Sequence, residues 1–140
     1  TAPHPDGLGA KAAMNASLID AGVMANRIDY VNAHGTGTHL NDTAEALAIA
    51  QVFGDHEPWV SSTKGQLGHC IGAAGAIEFA VCLSALLDGY IPPNINLFNP
   101  EPNLGVRLSG RSSLDADLQF VMSNSFGFGG QNVSLVVGRA

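Results

Sequence analysis

The chain has 140 residues, 46% apolar and only 13% charged, which is one ordinary domain in size and unlike a disordered, coiled-coil or nucleic-acid-binding protein. Twelve acidic against six basic residues give a formal charge of −6, and without a Lys/Arg cluster neither a phosphate backbone nor an anionic membrane is expected as a partner. So little charge leaves few polar groups to cover a lone globule, so part of its surface is expected to be an interface.

In chain order, the opening Thr1-Ala-Pro-His-Pro-Asp-Gly-Leu-Gly has neither the basic start nor the apolar core of a signal peptide. Gly9 to Ala21 places Met14, Leu18 and Ala21 on one face and stops at Gly22, predicting a helix with a glycine C-cap. Ile28 to Ala33 is a short β-rich run and predicts a strand. Asp42-Thr-Ala-Glu45 reads as a capping box, opening a helix that runs to Phe53 and closes at Gly54. Glu57 to Ser61 predicts a second strand.

Cys70 to Leu87 is apolar apart from Glu78 and Ser84. A carboxylate inside a membrane span is costly, so a helix buried on all sides of a layered fold is the better expectation. Cys70 and Cys82 would stand about 18 Å apart on that helix, too far for a disulfide; a reduced, cytoplasmic setting is expected, with Cys70 a packed structural thiol. Pro92 to Pro102 is too rich in proline for regular structure and should lie extended on the surface. Leu118 to Ser123 and Val133 to Gly138 predict two final strands. This order of helices and strands means an α/β layered architecture with a largely buried sheet and a buried helix, over one domain covering residues 1–140.

Three glycine-rich loops carry the polar residues that need explaining, each after or between predicted strands, where open α/β sheets build their sites. His34-Gly-Thr-Gly-Thr38 puts an imidazole at a strand end among small residues that let a ligand approach the backbone. It lacks the spacing of a Walker or dinucleotide loop, and a hydrogen-bonded core histidine is the alternative. In the second loop Lys64 and His69 precede the apolar helix. The helix end and Lys64 both disfavour an imidazolium there, giving a neutral donor suited to a developing oxyanion. Lys64 can also pair with Glu78, the sole charge of that helix, in a contact that could be purely stabilising. The third loop, Ser125-Phe-Gly-Phe-Gly-Gly130, presents backbone N–H groups and rings; a hairpin with core phenylalanines is its alternative. His34, His39 and His69 lie in separate loops with no zinc-site spacing, so no metal is expected.

Together these loops resemble the C-terminal half of a β-ketoacyl-acyl-carrier-protein synthase of the thiolase-fold condensing-enzyme superfamily. The matching pieces are Val31 to Thr38 with Asn41-Asp42 and Ala44-Glu45, Ser62 to His69 with Gly72 to Glu78, Pro92-Pro93 with Asn94 to Pro100, and Asn124 to Asn132. The resemblance implies a decarboxylative Claisen condensation of an acyl thioester with malonyl-acyl-carrier protein, in fatty acid or polyketide-like elongation, with no cofactor beyond the carrier's phosphopantetheine. It implies that His34 and His69 bind the malonyl thioester carbonyl, that Lys64 and its partner Glu78 tune the site, and that Thr36 and Thr38 contact the phosphopantetheine arm. Phe128 would be a gate whose N–H joins the oxyanion hole, beside Phe126, Gly127 and Gly129.

A histidine at position 69 and the absence of a cysteine from the last loop fit the elongating synthases, while His39 and Gln131 depart from the proline and threonine common there. The family's nucleophilic cysteine has no match here, so the chain is expected to be the C-terminal part of a larger synthase, inactive alone. Its implied partners are the N-terminal half, an acyl carrier protein and a second synthase subunit, with any basic docking patch sought on Arg27, Arg107 and Arg111. The alternative is a non-catalytic chain-length-factor-type subunit, against which the retained His34, Lys64 and His69 argue.

Overall fold

The computed structural model describes residues 4–139. Helix α1 (Leu8–Ala21) buries Ala10, Met14 and Leu18, four residues apart along one face. It ends at Gly22, whose left-handed φ of 64° lets its N–H bond the Ile19 carbonyl. Strand β1 (Tyr30–Asn32) is buried throughout. Helix α2 (His39–Phe53) leads to β2 (Trp59–Ser61), then to the single turn α3 (Lys64–Leu67) and to α4 (Ala74–Asp88). The chain finishes through β3 (Tyr90–Ile91), β4 (Arg107–Leu108), β5 (Leu114–Asp115), β6 (Phe120–Phe126) and β7 (Asn132–Gly138).

The main sheet has the order β4-β2-β1-β6-β7, and β3 pairs with β5 in a separate ribbon. β1 lies parallel to both β2 and β6, with Asn32 level with Ser61 and Ser123. Alternation along these strands divides the core in two. Val31, Val60 and Met122 pack with Met14 and Leu18 of α1 and Ile49 and Phe53 of α2, whereas Tyr30 and Val121 pack with Cys82, Ala85 and Leu86 of α4. The result is α-β-α layering with a mixed sheet, as the resemblance to the thiolase fold implies. Because β2, β1 and β6 run the same way side by side, the loops after them, carrying Lys64 and His69, His34, and Phe126 to Gly130, emerge at one edge.

Several expectations need correcting. The apolar helix starts at Ala74 after a 3-10 turn, Ile71–Ala73, and it is buried along one face only: Ala74, Glu78, Cys82, Ala85 and Leu86 are covered, while Leu83 and Leu87 are exposed. Ile71 to Asp88 is long and apolar enough to cross a bilayer by composition alone, but its Glu78 is tucked into the fold. Cys70 lies in the turn before α4 rather than inside a helix, half-buried, with its Sγ toward the Leu67 and Gly68 carbonyls. Helix α2 begins three residues before Asp42, so the expected capping box does not form. Pro92 and Asn94 are buried rather than on the surface, and β3, β4 and β5 have no sequence counterpart.

Candidate active site

The first loop is shaped by a carboxylate. Glu45, on the buried face of α2, accepts the His34 and Gly35 amides on its two oxygens at 2.9 Å each, and Oε1 also accepts from Asn124 Nδ2. Burial pushes its pKa up, and these three donors work against that shift. Asp42 Oδ1 accepts the Gly37 amide at 3.3 Å. The two acids thus hold the loop ahead of the helix instead of capping its first turn. Gly35, at φ 41°, has no room for a Cβ, which would stand 2.5 Å from Ser62 Cβ. Ser62 Oγ in turn donates to the Gly35 carbonyl, tying the first loop to the second.

Lys64 and Glu78 form an ion pair with side chains only 6% and 3% exposed. Burial raises the Glu78 pKa, opposed by its bond to Lys64. The Lys64 Nζ also lies 3.5 Å from His34 Nδ1. An ammonium has no lone pair, so Nδ1 is the acceptor and the proton of a neutral His34 sits on Nε2. Burial first, then the charges of Lys64 and His69, lower the His34 pKa to about 4, so the ring is neutral across the physiological range.

His69 is exposed and stands five residues before α4, just past the end of α3, so it does not sit at the N-terminus of the apolar helix as expected. The Ile71 amide of the intervening 3-10 turn donates to His69 Nδ1 at 3.1 Å, which again leaves the proton on Nε2. The two imidazoles meet edge to face with ring centres 5.6 Å apart. Phe126 closes the other side of His34 at 5.8 Å. Each ring thus has its Nδ1 engaged as an acceptor, and among the described residues no hydrogen bond takes up either Nε2.

Thr36 and Thr38 share a hydroxyl hydrogen bond of 2.9 Å at the surface. Thr36, Gly37, Lys64 and His69 line a cleft of about 470 Å³ whose far wall is Ile95 to Glu101. The Gly127 amide bonds the Gln131 carbonyl, and Gly129 sits at φ 82°. The expected gate concerns the Phe128 side chain, which lies outside the described residues. The buried side-chain amide of Asn32 and Glu78 Oε2 have no hydrogen-bond partner among the described residues.

Sequence reasoning missed the role of Asn94, whose Oδ1 accepts the Ser62 amide while Nδ2 donates to the Val60 and Ser109 carbonyls. Its place in a proline-rich stretch gave no hint of burial. Asn124, bonded to Glu45 and to Ser134, was likewise legible only as part of a motif. The expected basic patch is divided: Arg27 and Arg107 stack on Phe120 and Trp59 at the strand starts, while Arg111, after β4, lies over Phe98 on the cleft's side.

No group of three or more His, Cys, Asp or Glu side chains among the described residues could hold a metal ion. Residues 1–98 match the family described as beta-ketoacyl synthase, C-terminal domain. The chain is 45% identical over 141 residues to the 3-oxoacyl-[acyl-carrier-protein] synthase 2 of Coxiella burnetii, covering 99% of this chain and 34% of that protein. It therefore spans about a third of the length of such relatives. The structure of the ishigamide ketosynthase/chain length factor is similar with a TM-score of 0.93 and 37% identity, covering 98% of this chain and 35% of that one. A type II PKS ketosynthase in complex with its acyl-carrier protein is similar with a TM-score of 0.90 and 30% identity, covering 100% and 35%. Fold, loops and sequence thus agree, and the chain belongs to the β-ketoacyl synthase family through that family's C-terminal domain.

Proposed function

We propose that this chain forms the C-terminal part of an elongating 3-oxoacyl-[acyl-carrier-protein] synthase and supplies its malonyl-decarboxylating half-site. The observation that carries the reading is the His34–His69 pair, in which both Nδ1 atoms are engaged as acceptors and both Nε2–H groups are left to donate. A malonyl thioester whose carbonyl oxygen accepts these two bonds loses carbon dioxide as its C–C bond electrons move into an enolate. The two donors hold the enolate oxygen. The enolate carbon then attacks a second thioester carbonyl, a new C–C bond forms, and the thiolate of that thioester leaves.

Neither cysteine here suits that thioester. Cys82 is buried and its thiol is pushed up to about 12 by desolvation, while Cys70 is turned to two carbonyls. The acylated cysteine is therefore assigned to the rest of a longer protein. Lys64 adds to burial in keeping His34 neutral and fixes its proton on Nε2, with its own charge balanced by Glu78. Thr36, which lines the cleft, and Thr38, hydrogen-bonded to it, suit the amides of a phosphopantetheine arm, and an acyl carrier protein is the partner that would deliver it. A chain-length-factor-type subunit without chemistry would have no use for Lys64, His34 and His69 arranged this way.

The test is His69→Ala in the full-length protein. Malonyl decarboxylation is expected to fall by at least about 100-fold, as for loss of an oxyanion donor, while acylation of the enzyme by an acyl thioester persists. Retention of decarboxylation would overturn the assignment.

A further inference from the structure

The far wall of the cleft is held in an unusual way. Within residues 98–104 no backbone group makes a hydrogen bond to the rest of the described chain, and Glu101 alone does so through its side chain. Its Oε1 meets His39 Nδ1 at 2.7 Å and its Oε2 accepts from the Thr43 hydroxyl at 3.4 Å. His39 and Thr43 lie one turn apart at the start of α2, so Glu101 reaches from the proline-rich segment to the helix that carries the opposite rim. Both His39 and Glu101 line the cleft together with Thr36 and Lys64. By contrast, residues 92–96 are anchored on their own, through the buried Asn94 network and through Asn96 Nδ2, which donates to the Gly65 carbonyl. The hydrogen-bonded part of the loop therefore ends at Leu97, whose amide donates to the Asn94 carbonyl; beyond it Arg111 stacks on Phe98 and the hydrogen bonds come from one carboxylate.

We propose that His39 and Glu101 are a positioning pair that clasps residues 98–104 against α2, making them a movable wall of the cleft that closes on a thioester arm lying beside Thr36. Naming the arm rests on the proposed function; the clasp does not. With the pair formed, the wall is in place and an arm in the cleft is enclosed. With it broken, no hydrogen bond among the described residues holds the segment, which turns at Pro102 and Asn103, to the rim.

The clasp is sensitive to protonation. The Glu101 carboxylate raises the His39 pKa, first by its hydrogen bond and then by its charge. Of the other charged groups around this rim, Asp42 on α2 is committed to the Gly37 and Asn41 N–H groups, Lys64 is paired with Glu78, His69 faces His34, and Arg111 lies over the Phe98 ring. Glu101 is thus the charge that His39 meets. Raising the pH through the His39 pKa turns a charge-assisted bond into a neutral one and loosens the wall.

The experiment compares the full-length protein with its Glu101→Gln, His39→Gln and His39→Lys variants. The rate of limited proteolysis within residues 98–104 is read relative to a free peptide of the same sequence, with KM and kcat for the malonyl-carrier substrate. Both Gln variants are expected to be cut faster there and to raise KM by about two- to fivefold, the range for an exposed ion pair, with a smaller change in kcat. The His39→Lys variant keeps the cation, so it should restore resistance to cleavage and remove its decline with rising pH. An unchanged cleavage rate in Glu101→Gln would overturn the clasp, and faster cleavage with KM unmoved would overturn its positioning role. A protein with no condensing activity would sink the proposed function, while the cleavage rates would still decide whether the clasp exists.

Discussion

The ammonium of Lys64 points at the unprotonated nitrogen of His34, 3.5 Å away. Burial depresses the His34 pKa most, and this cation adds to it. Its contribution to stability is therefore fully present above pH 6.5 and is lost as the pH falls through about 4. Removing Lys64 alone would strand the Glu78 carboxylate, at a cost of about 3–5 kcal/mol. The double variant Lys64→Met/Glu78→Leu removes both charges. In that variant the His34 pKa, followed by NMR, is expected to rise while staying below 6.5, because burial remains. An unmoved pKa would show that Lys64 does not tune the ring.

Glu45 serves two amides with two oxygens. In Glu45→Gln one of those oxygens becomes an NH2 group facing an N–H donor. The charge is relieved, but the loop loses a bond and gains a donor clash, for a net loss of about 1–3 kcal/mol in denaturant unfolding. The His34 or Gly35 amide should exchange faster. Undiminished stability would mean that burial of the charge costs as much as the strap contributes.

Asn94 satisfies three buried backbone groups at once. Truncation in Asn94→Ala should cost about 3 kcal/mol or more, since each stranded group carries roughly 1–3 kcal/mol. In Asn94→Asp a carboxylate faces the Val60 and Ser109 carbonyls, so that variant is expected to gain stability as the pH falls and the acid protonates. Thermal melts at two pH values test both. Equal melting of Asn94→Ala and the natural chain would deny the residue its anchoring role.

Gly35 combines a left-handed φ with contact to Ser62. Gly35→Ala is expected to destabilise by about 2–3 kcal/mol, from backbone strain of roughly 1–2 kcal/mol and the displaced Ser62–Gly35 hydrogen bond. Adding Ser62→Gly should recover the steric part and not the strain. If the double variant is no more stable than the single one, the clash is not the cause.

The parts of this fold that could be read from sequence are those governed by local rules. Gly22 ends α1 because a left-handed residue is needed there, and the spacing of Met14 and Leu18 marks the buried face. The strands that support the site were legible as β-rich runs beside glycine loops, and the loops themselves supplied His34, Lys64 and His69. What was missed depends on partners distant in the chain. β3, β4 and β5 are two residues long, too short for any periodicity. Helix α4 is apolar all round, so nothing in its sequence tells the covered face from the open one that bears Leu83 and Leu87. The acids at 42 and 45 have the spacing of a capping box, yet their oxygens go to loop amides upstream, a choice made by the burial of α2 against the sheet. Asn94 looks like a turn residue until β2 and β4 are brought beside it.

The shared direction of β2, β1 and β6 gives the site a tolerance that can be stated as a length. Strands slip only in steps of two residues if their faces are to stay buried, and each such step moves a strand end by about 6.6 Å. That is larger than the 5.6 Å between the two imidazoles, so one slip of β1 against β2 would part His34 from His69 entirely. The ladder of backbone hydrogen bonds thus works as a ruler with one permitted mark. Substitutions that soften the pairing of Asn32 with Ser61 are expected to disable the site while the helices, and most of the core, remain folded.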